Sequence, residues 1–338
     1  MRVAAAQTTA GPDRGENLAA AAELVAEAAG RGARLVVLPE LFSVAGSPAR
    51  LRSEAEPLEG PTLRWAADVA RRHGIFVVAG SFPERAGPSE KAGAGTGPTG
   101  PSARPRRRTG RTVRDGRGEG PVLYNTSCLV DSAGSVRAVY RKLHLFDARI
   151  GETAICESAT FVGGRDLVVA SLDEAAPGSG ARAEHGDGAE RTDLPPSVVG
   201  THAGSAGASP SVRVGFSICY DLRFPELYRS LALRGATLVV VPSAFTAATG
   251  PAHWEVLLRA RAIENAIFVV AAGQVGRLPA GMPACHGHSM IVDPWGTVLD
   301  ELREDGPGVA VADVSLERVG RVRAELPVLA HRRPDAYL

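Results

Sequence analysis

The 338 residues are 44% apolar and 22% charged, enough for a substantial core in one large domain or two ordinary ones. Lysine and arginine number 38 against 37 aspartate and glutamate, and a formal charge of +1 excludes a global electrostatic case for a nucleic-acid or anionic-membrane partner. Nothing approaches the roughly 20 apolar residues of a membrane span, and the first residues lack the apolar run and cleavage site of a signal peptide. Four widely separated cysteines without a Cys-x-x-Cys pair complete the expectation of reduced thiols in a soluble, cytoplasmic protein.

In chain order, residues 2–8 form a short apolar run that predicts a buried strand, bounded by Gly11-Pro12. Asp13 and Glu16 open a helical pattern with Leu18, Ala21, Ala22, Val25, Ala28 and Ala29 on one face, closed by Gly30 and Gly32. Residues 35–38 predict a strand ended by Pro39, with Glu40 directly after it. Pro61 starts a second helix with Leu63, Ala66, Ala67 and Ala70 inward, and residues 75–79 return to strand. Strands alternating with helices predict an α/β fold. Residues 86–120 are glycine, proline, serine, threonine and arginine with hardly a large apolar side chain, which predicts a disordered insertion. Within it, residues 95–100 match G-x-G-x-x-G, but no strand leads in and a proline blocks the helix, so the match is a compositional coincidence. Arg104, Arg106, Arg107 and Arg108 read as a solvated charge run.

Residues 122–130 and 135–141 predict a β-hairpin across the turn Asp131-Ser132-Ala133-Gly134, with Lys142 at its end. A polar run over 143–158 contains Glu157. A strand near 167–170 precedes a second insertion, 173–210, of the same character as the first. The apolar run ending at Cys219 comes next, followed by a helix over 225–233, a strand over 237–241, a helix over 253–265 and a strand over 267–272. Strands over 288–292 and 297–299 flank the turn Asp293-Pro294-Trp295-Gly296, and a last strand and short helix complete the pattern. The stretch Gly32 to Phe42 is echoed by Gly235 to Phe245, which predicts two related sheets packed face to face. One copy carries Glu40 at the strand end, the other Ser243.

Cys219 sits at a strand-to-helix corner, where free N–H groups and the helix dipole predict a thiol pKa below roughly 8.5. Taken alone, it also fits an inert core thiol. Gly215 to Cys219 begins like the serine elbow G-x-S-x-G but lacks the final glycine. Glu40 and Lys142 likewise read singly as exposed strand-end charges. Together the three make an acyl-transfer site: Glu40 takes the thiol proton, Cys219 attacks a carbonyl or nitrile carbon, and Lys142 stabilises the oxyanion.

Leu38-Pro39-Glu40, Arg141-Lys142-Leu143-His144 and Ile218-Cys219-Tyr220-Asp221, in this order, resemble the nitrilase superfamily of carbon–nitrogen hydrolases. The stretches 250–264, 287–296 and 331–335 are similar to its Nit-type amidase branch, most of all to the deaminated-glutathione amidases. The resemblance implies one domain over 1–338 with a four-layer αββα sandwich, no cofactor, no metal and a Glu40–Lys142–Cys219 triad. It also implies Glu157 as a second glutamate, the Tyr220 N–H in the oxyanion hole, Arg223 on a substrate carboxylate, and a homodimer or larger assembly joined near the nucleophile. The implied reaction is hydrolysis of a small amide, an ω-amide of a 2-oxo acid or a deaminated-glutathione-like compound, through a thioester with loss of ammonia. A nitrilase or an N-carbamoyl or aliphatic amide hydrolase is the neighbouring reading, although Cys219-Tyr220-Asp221 favours amide over nitrile. A catalytically silent protein that recruits partners through the basic stretch 104–117 is the alternative of another class. Cys285-His286-Gly287-His288 lacks a second ligand cluster at zinc-finger spacing, and the resemblance makes His288 a strand residue.

Overall fold

The computed structural model describes residues 1–87, 121–150, 153–173, 211–279, 282–303 and 306–337, so the two predicted insertions, with their G-x-G-x-x-G match and arginine run, lie outside the described residues. The first apolar run forms β1 (Arg2–Gln7), buried over its last five residues. Asp13 accepts the Glu16 N–H and starts α1 (Arg14–Gly30), which turns Ala21, Leu24, Val25 and Ala28 inward. Next come β2 (Leu35–Val37), a short α2 (Pro48–Ser53) and α3 (Pro61–His73), which opens on proline and closes on Gly74 in the left-handed region. After β3 (Phe76–Val78) and β4 (Phe82–Arg85) the hairpin appears as β5 (Leu123–Val130) and β6 (Val136–Arg141).

The polar run after Lys142 is not a plain loop: β7 (Asp147–Ile150) and β8 (Thr153–Cys156) pair antiparallel there. Then follow β9 (Val169–Ser171) and β10 (Arg213–Phe216), a 3₁₀ turn over Cys219–Arg223, α4 (Pro225–Leu233), β11 (Leu238–Ser243) and α5 (Gly250–Asn265). The chain continues through β12 (Phe268–Gly273), β13 (Val275–Gly276), β14 (Cys285–His286), β15 (Met290–Val292), β16 (Val298–Glu301), β17 (Gly308–Asp313), α6 (Leu316–Glu325) and α7 (Pro334–Tyr337). His288 corrects its expectation. It lies before β15 at φ 54, a conformation no regular strand residue adopts, because Gly287 and His288 turn the chain between β14 and β15.

One sheet has the order β17-β1-β2-β3-β5-β4, with β6 on β5; the other has the order β16-β15-β12-β11-β10-β9. The echoed segments become β2 and β11, each the middle of three parallel strands. Val3, Ala5, Leu35, Val37, Phe76 and Val78 of the first sheet share one core with Val214, Phe216, Val239 and Val240 of the second, which places the sheets face to face. The opposite face of the first sheet, with Ala4, Ala6, Val36 and Val77, packs on Leu24, Val25, Leu63, Ala66 and Val69 of α1 and α3. On the far side of the second sheet Leu227, Leu231, Trp254, Leu258 and Ala262 of α4 and α5 join the core. The result is the predicted αββα sandwich. Each large aliphatic side chain so buried contributes roughly 1.5–3 kcal/mol. Among the described residues, no helix is long and apolar enough to cross a membrane.

Candidate active site

Pro39 ends β2 by withholding a ladder donor, and the chain bends so that Leu41 takes φ 52. The bend is pinned from three sides. Ser81 Oγ accepts the Leu41 N–H at 2.9 Å, Gln274 Nε2 donates to the Glu40 carbonyl at 3.0 Å, and the Ser81 N–H reaches the Pro39 carbonyl at 3.1 Å. A Cβ on Gly80 would stand 1.9 Å from that carbonyl, so only glycine lets the β3–β4 turn pass here. Lys142 extends the β5–β6 ladder by one more bond, its N–H donating to the Asn125 carbonyl at 2.9 Å. Cys219 is the first residue of the 3₁₀ turn and stands at φ 46, a left-handed conformation that costs an L-residue roughly 1–2 kcal/mol.

These three strand ends bring Glu40, Lys142 and Cys219 together, with Glu157 from the end of β8. Lys142 Nζ donates to Glu40 Oε1 at 2.9 Å and to Glu157 Oε2 at 2.8 Å. Lysine and Glu40 are almost fully buried, at 2% and 4% exposure, so each charge depends on the other for compensation. Glu40 Oε2 accepts the Ala244 N–H at 2.8 Å, and the Glu40 carboxylate and that N–H act in opposite senses on the Cys219 thiol, the first raising and the second lowering its pKa. Glu157 Oε2 also accepts the Phe146 N–H at 2.7 Å, which the β7–β8 hairpin presents to it. Burial works against a charge on Lys142, but Glu157 and Glu40 overcome it and hold the ammonium well above the ordinary lysine range.

The thiol runs against expectation. Burial first, and the Glu40 carboxylate second, push Cys219 well above the ordinary thiol range despite the nearby Lys142 ammonium. A corner position lowers a thiol pKa when water and N–H groups surround the sulfur; here the sulfur is enclosed and faces a carboxylate. The resting form is therefore the thiol, with the Glu40 carboxylate nearby as a proton acceptor.

Cys219, Tyr220 and Arg223 line a narrow cleft with Phe146, Ala244, Phe245, Thr246 and Thr249. Arg223 does not pair with Asp221. Its guanidinium lies over the Phe245 ring at 5.2 Å and contacts His253 Nδ1 at 3.3 Å, while Asp221 points into the protein. The Tyr220 N–H is at the start of the 3₁₀ turn, where donors have no intrahelical acceptor.

Asn125 was not legible as a site residue. Its Nδ2 donates to Glu40 Oε1 at 2.9 Å and to Glu157 Oε1 at 3.0 Å, so one amide group spaces the two carboxylates around the ammonium. The available signal was a polar residue in the middle of a strand whose neighbours are almost all buried. Among the described residues, no group of three or more His, Cys, Asp or Glu could hold a metal ion; His286 and His288 stack on each other, and His288 bonds Glu301.

The carbon-nitrogen hydrolase family profile matches residues 2–324. The chain belongs to the carbon-nitrogen hydrolase family. Among carbon-nitrogen hydrolases it is 39% identical over 337 residues to the human deaminated glutathione amidase, a match covering 99% of this chain and 83% of that one. The deaminated glutathione amidase of Synechocystis sp. is 35% identical over 330 residues, covering 97% of each chain. Among solved structures, a mutant of the amidase from Nesterenkonia sp. AN1, carrying the product of Michael addition of acrylamide at its active-site cysteine, superposes with a TM-score of 0.61 at 27% identity. That match covers 97% of this carbon-nitrogen hydrolase and 98% of the Nesterenkonia chain.

Proposed function

We propose that the protein is a cysteine-dependent amidase that hydrolyses the terminal amide of a small carboxylate-bearing molecule, an ω-amide of a 2-oxo acid or a deaminated-glutathione-like compound. The observation that carries this reading is a buried Glu40–Lys142–Glu157 cluster next to a buried thiol that opens on a cleft also holding an arginine. Glu40 takes the thiol proton as Cys219 Sγ attacks the amide carbon, so thiolate forms only as it is used. The oxyanion is met by Lys142 Nζ and the Tyr220 N–H. Glu40 returns the proton to the departing nitrogen, ammonia leaves, and a thioester remains. Water then gives a proton to Glu40 and adds to the thioester carbon, releasing the carboxylic acid and restoring the thiol. Glu157 and Asn125 hold Lys142 and Glu40 in place throughout. The amidase names of the relatives support amide over nitrile cleavage.

The test is ammonia release from a panel of deaminated glutathione, α-ketoglutaramate, aliphatic amides, N-carbamoyl amino acids and nitriles. Signal on one carboxylate-bearing amide is expected; signal confined to nitriles would overturn the reading. Arg223→Ala is expected to raise KM for that amide about 10- to 100-fold, the worth of a charge-assisted hydrogen bond, with kcat nearly unchanged. An equal effect on neutral aliphatic amides would remove Arg223 from carboxylate binding.

The four free cysteines support a reducing, cytoplasmic setting. Val256 and Ile263, exposed one above the other on the outer face of α5, support a homodimer or larger assembly, which light scattering of the full chain would read directly.

A further inference from the structure

Asp221 is fully buried two residues beyond Cys219, and among the described residues no lysine or arginine lies within ion-pair distance of it. Burying a lone carboxylate costs several kcal/mol unless its oxygens are hydrogen-bonded, so its donors indicate what the placement achieves. There are four. Oδ2 accepts the Tyr140 O–H at 2.7 Å and the Ile218 N–H at 2.9 Å. Oδ1 accepts the His144 N–H at 3.0 Å and faces His144 Nδ1 at 2.7 Å, with the imidazole stacked on Phe224 at 3.6 Å.

Tyr140 and His144 stand two residues before and two after Lys142, whereas Ile218 directly precedes Cys219. The strands that lead to these groups, β6 and β10, belong to different sheets and share no ladder. One carboxylate therefore joins the segment bearing the ammonium to the corner bearing the thiol. Burial, followed by the charge of Asp221, raises the Tyr140 phenol well above its ordinary range, so it remains a donor at any working pH. The Ile218 bond also fixes the residue just before Cys219, whose left-handed backbone persists only if its surroundings enforce it.

We propose that Asp221 is a positioning residue: its carboxylate locks the Lys142 segment against the Cys219 corner, and so sets the distance between ammonium, thiol and substrate carbon. The proposal rests on the reading of Cys219 as nucleophile. Asp221→Asn tests it with little change of shape, because an amide must turn its NH₂ toward one pair of donors and so loses one side of the lock.

The first readout needs no substrate. The full-length protein is treated with acrylamide, and adducts at Cys219 and at the exposed Cys156 are followed by mass spectrometry. Asp221→Asn is expected to slow labelling of Cys219 by about tenfold or more while Cys156 labels as before and thermal unfolding stays cooperative. On an amide that the wild type turns over, kcat is expected to fall by at least about tenfold with KM within about threefold. Unchanged Cys219 labelling in the folded variant overturns the proposal, as does a rise in KM that accounts for the whole loss. Should Asp221→Asn fail to fold, Tyr140→Phe removes a single donor without adding an opposed dipole; it is expected to slow Cys219 labelling several-fold, and no change would equally overturn the proposal. Wild type that labels Cys219 but releases no ammonia would count against the amidase reading alone.

Discussion

Cys219→Ala is expected to release no ammonia from any amide that the wild type hydrolyses, a loss on the order of 10⁴- to 10⁶-fold, while the protein stays folded. The size of the effect follows from covalent catalysis: without Sγ there is no thioester, and the remaining oxyanion donors have nothing to stabilise except rare direct attack by water. The fold should survive because the contacts that hold the corner do not use the sulfur. Ile218 is bonded to Asp221, Glu40 keeps Lys142, Asn125 and the Ala244 N–H, and alanine tolerates φ 46 no worse than cysteine. Ammonia assays paired with a thermal melt check both halves. Wild-type turnover in pure Cys219→Ala protein would overturn the mechanism.

Lys142→Ala is expected to remove activity by about 10³-fold or more and, unlike the cysteine variant, to cost about 3–5 kcal/mol of stability. Among the described residues, Lys142 Nζ is the only cation paired with Glu40 and Glu157; without it, two carboxylates are left sharing Asn125 Nδ2 in a nearly dry site. Because the ammonium is held above the ordinary lysine range, its contribution to native stability is complete throughout neutral pH and is lost only well above roughly pH 10. Adding Glu157→Gln to Lys142→Ala removes one of the two negative charges, so the double variant should regain much of the lost melting temperature but none of the activity. Equal melting temperatures for the single variant and wild type would show that the buried charges do not depend on one another.

Glu40, Lys142 and Cys219 could be singled out in the sequence because each follows directly on an apolar run where a strand must stop; each alone has a bland explanation, but a base, a cation and a thiol at three strand ends together make an acyl-transfer set. The helix α1 was legible from its Asp13 cap and its periodicity for the same local reason. What could not be read depends on partners distant along the chain. Asn125 looks like one polar residue in a strand until Glu40 and Glu157 converge on its amide. The direction of the thiol pKa reverses because burial and the Glu40 carboxylate act together, and neither is a property of the corner itself. The β7–β8 hairpin was missed because its residues alternate between exposed and half-buried, leaving no apolar face to reveal the period. His288 departs from strand geometry through the glycine before it, a turn that an apolar pattern alone does not reveal.

Base and ammonium are delivered by segments that leave the first sheet, whereas the thiol is delivered by the second sheet. Division of the chain within 174–210 would therefore give two fragments, each chemically silent: one holding Glu40, Lys142, Glu157 and Asn125 without a nucleophile, the other holding Cys219 without a proton acceptor. Since β17 of the later fragment pairs with β1 of the earlier one, the fragments carry a built-in means of finding each other. Activity would then emerge only on reassembly, and during synthesis the nucleophile would be armed last.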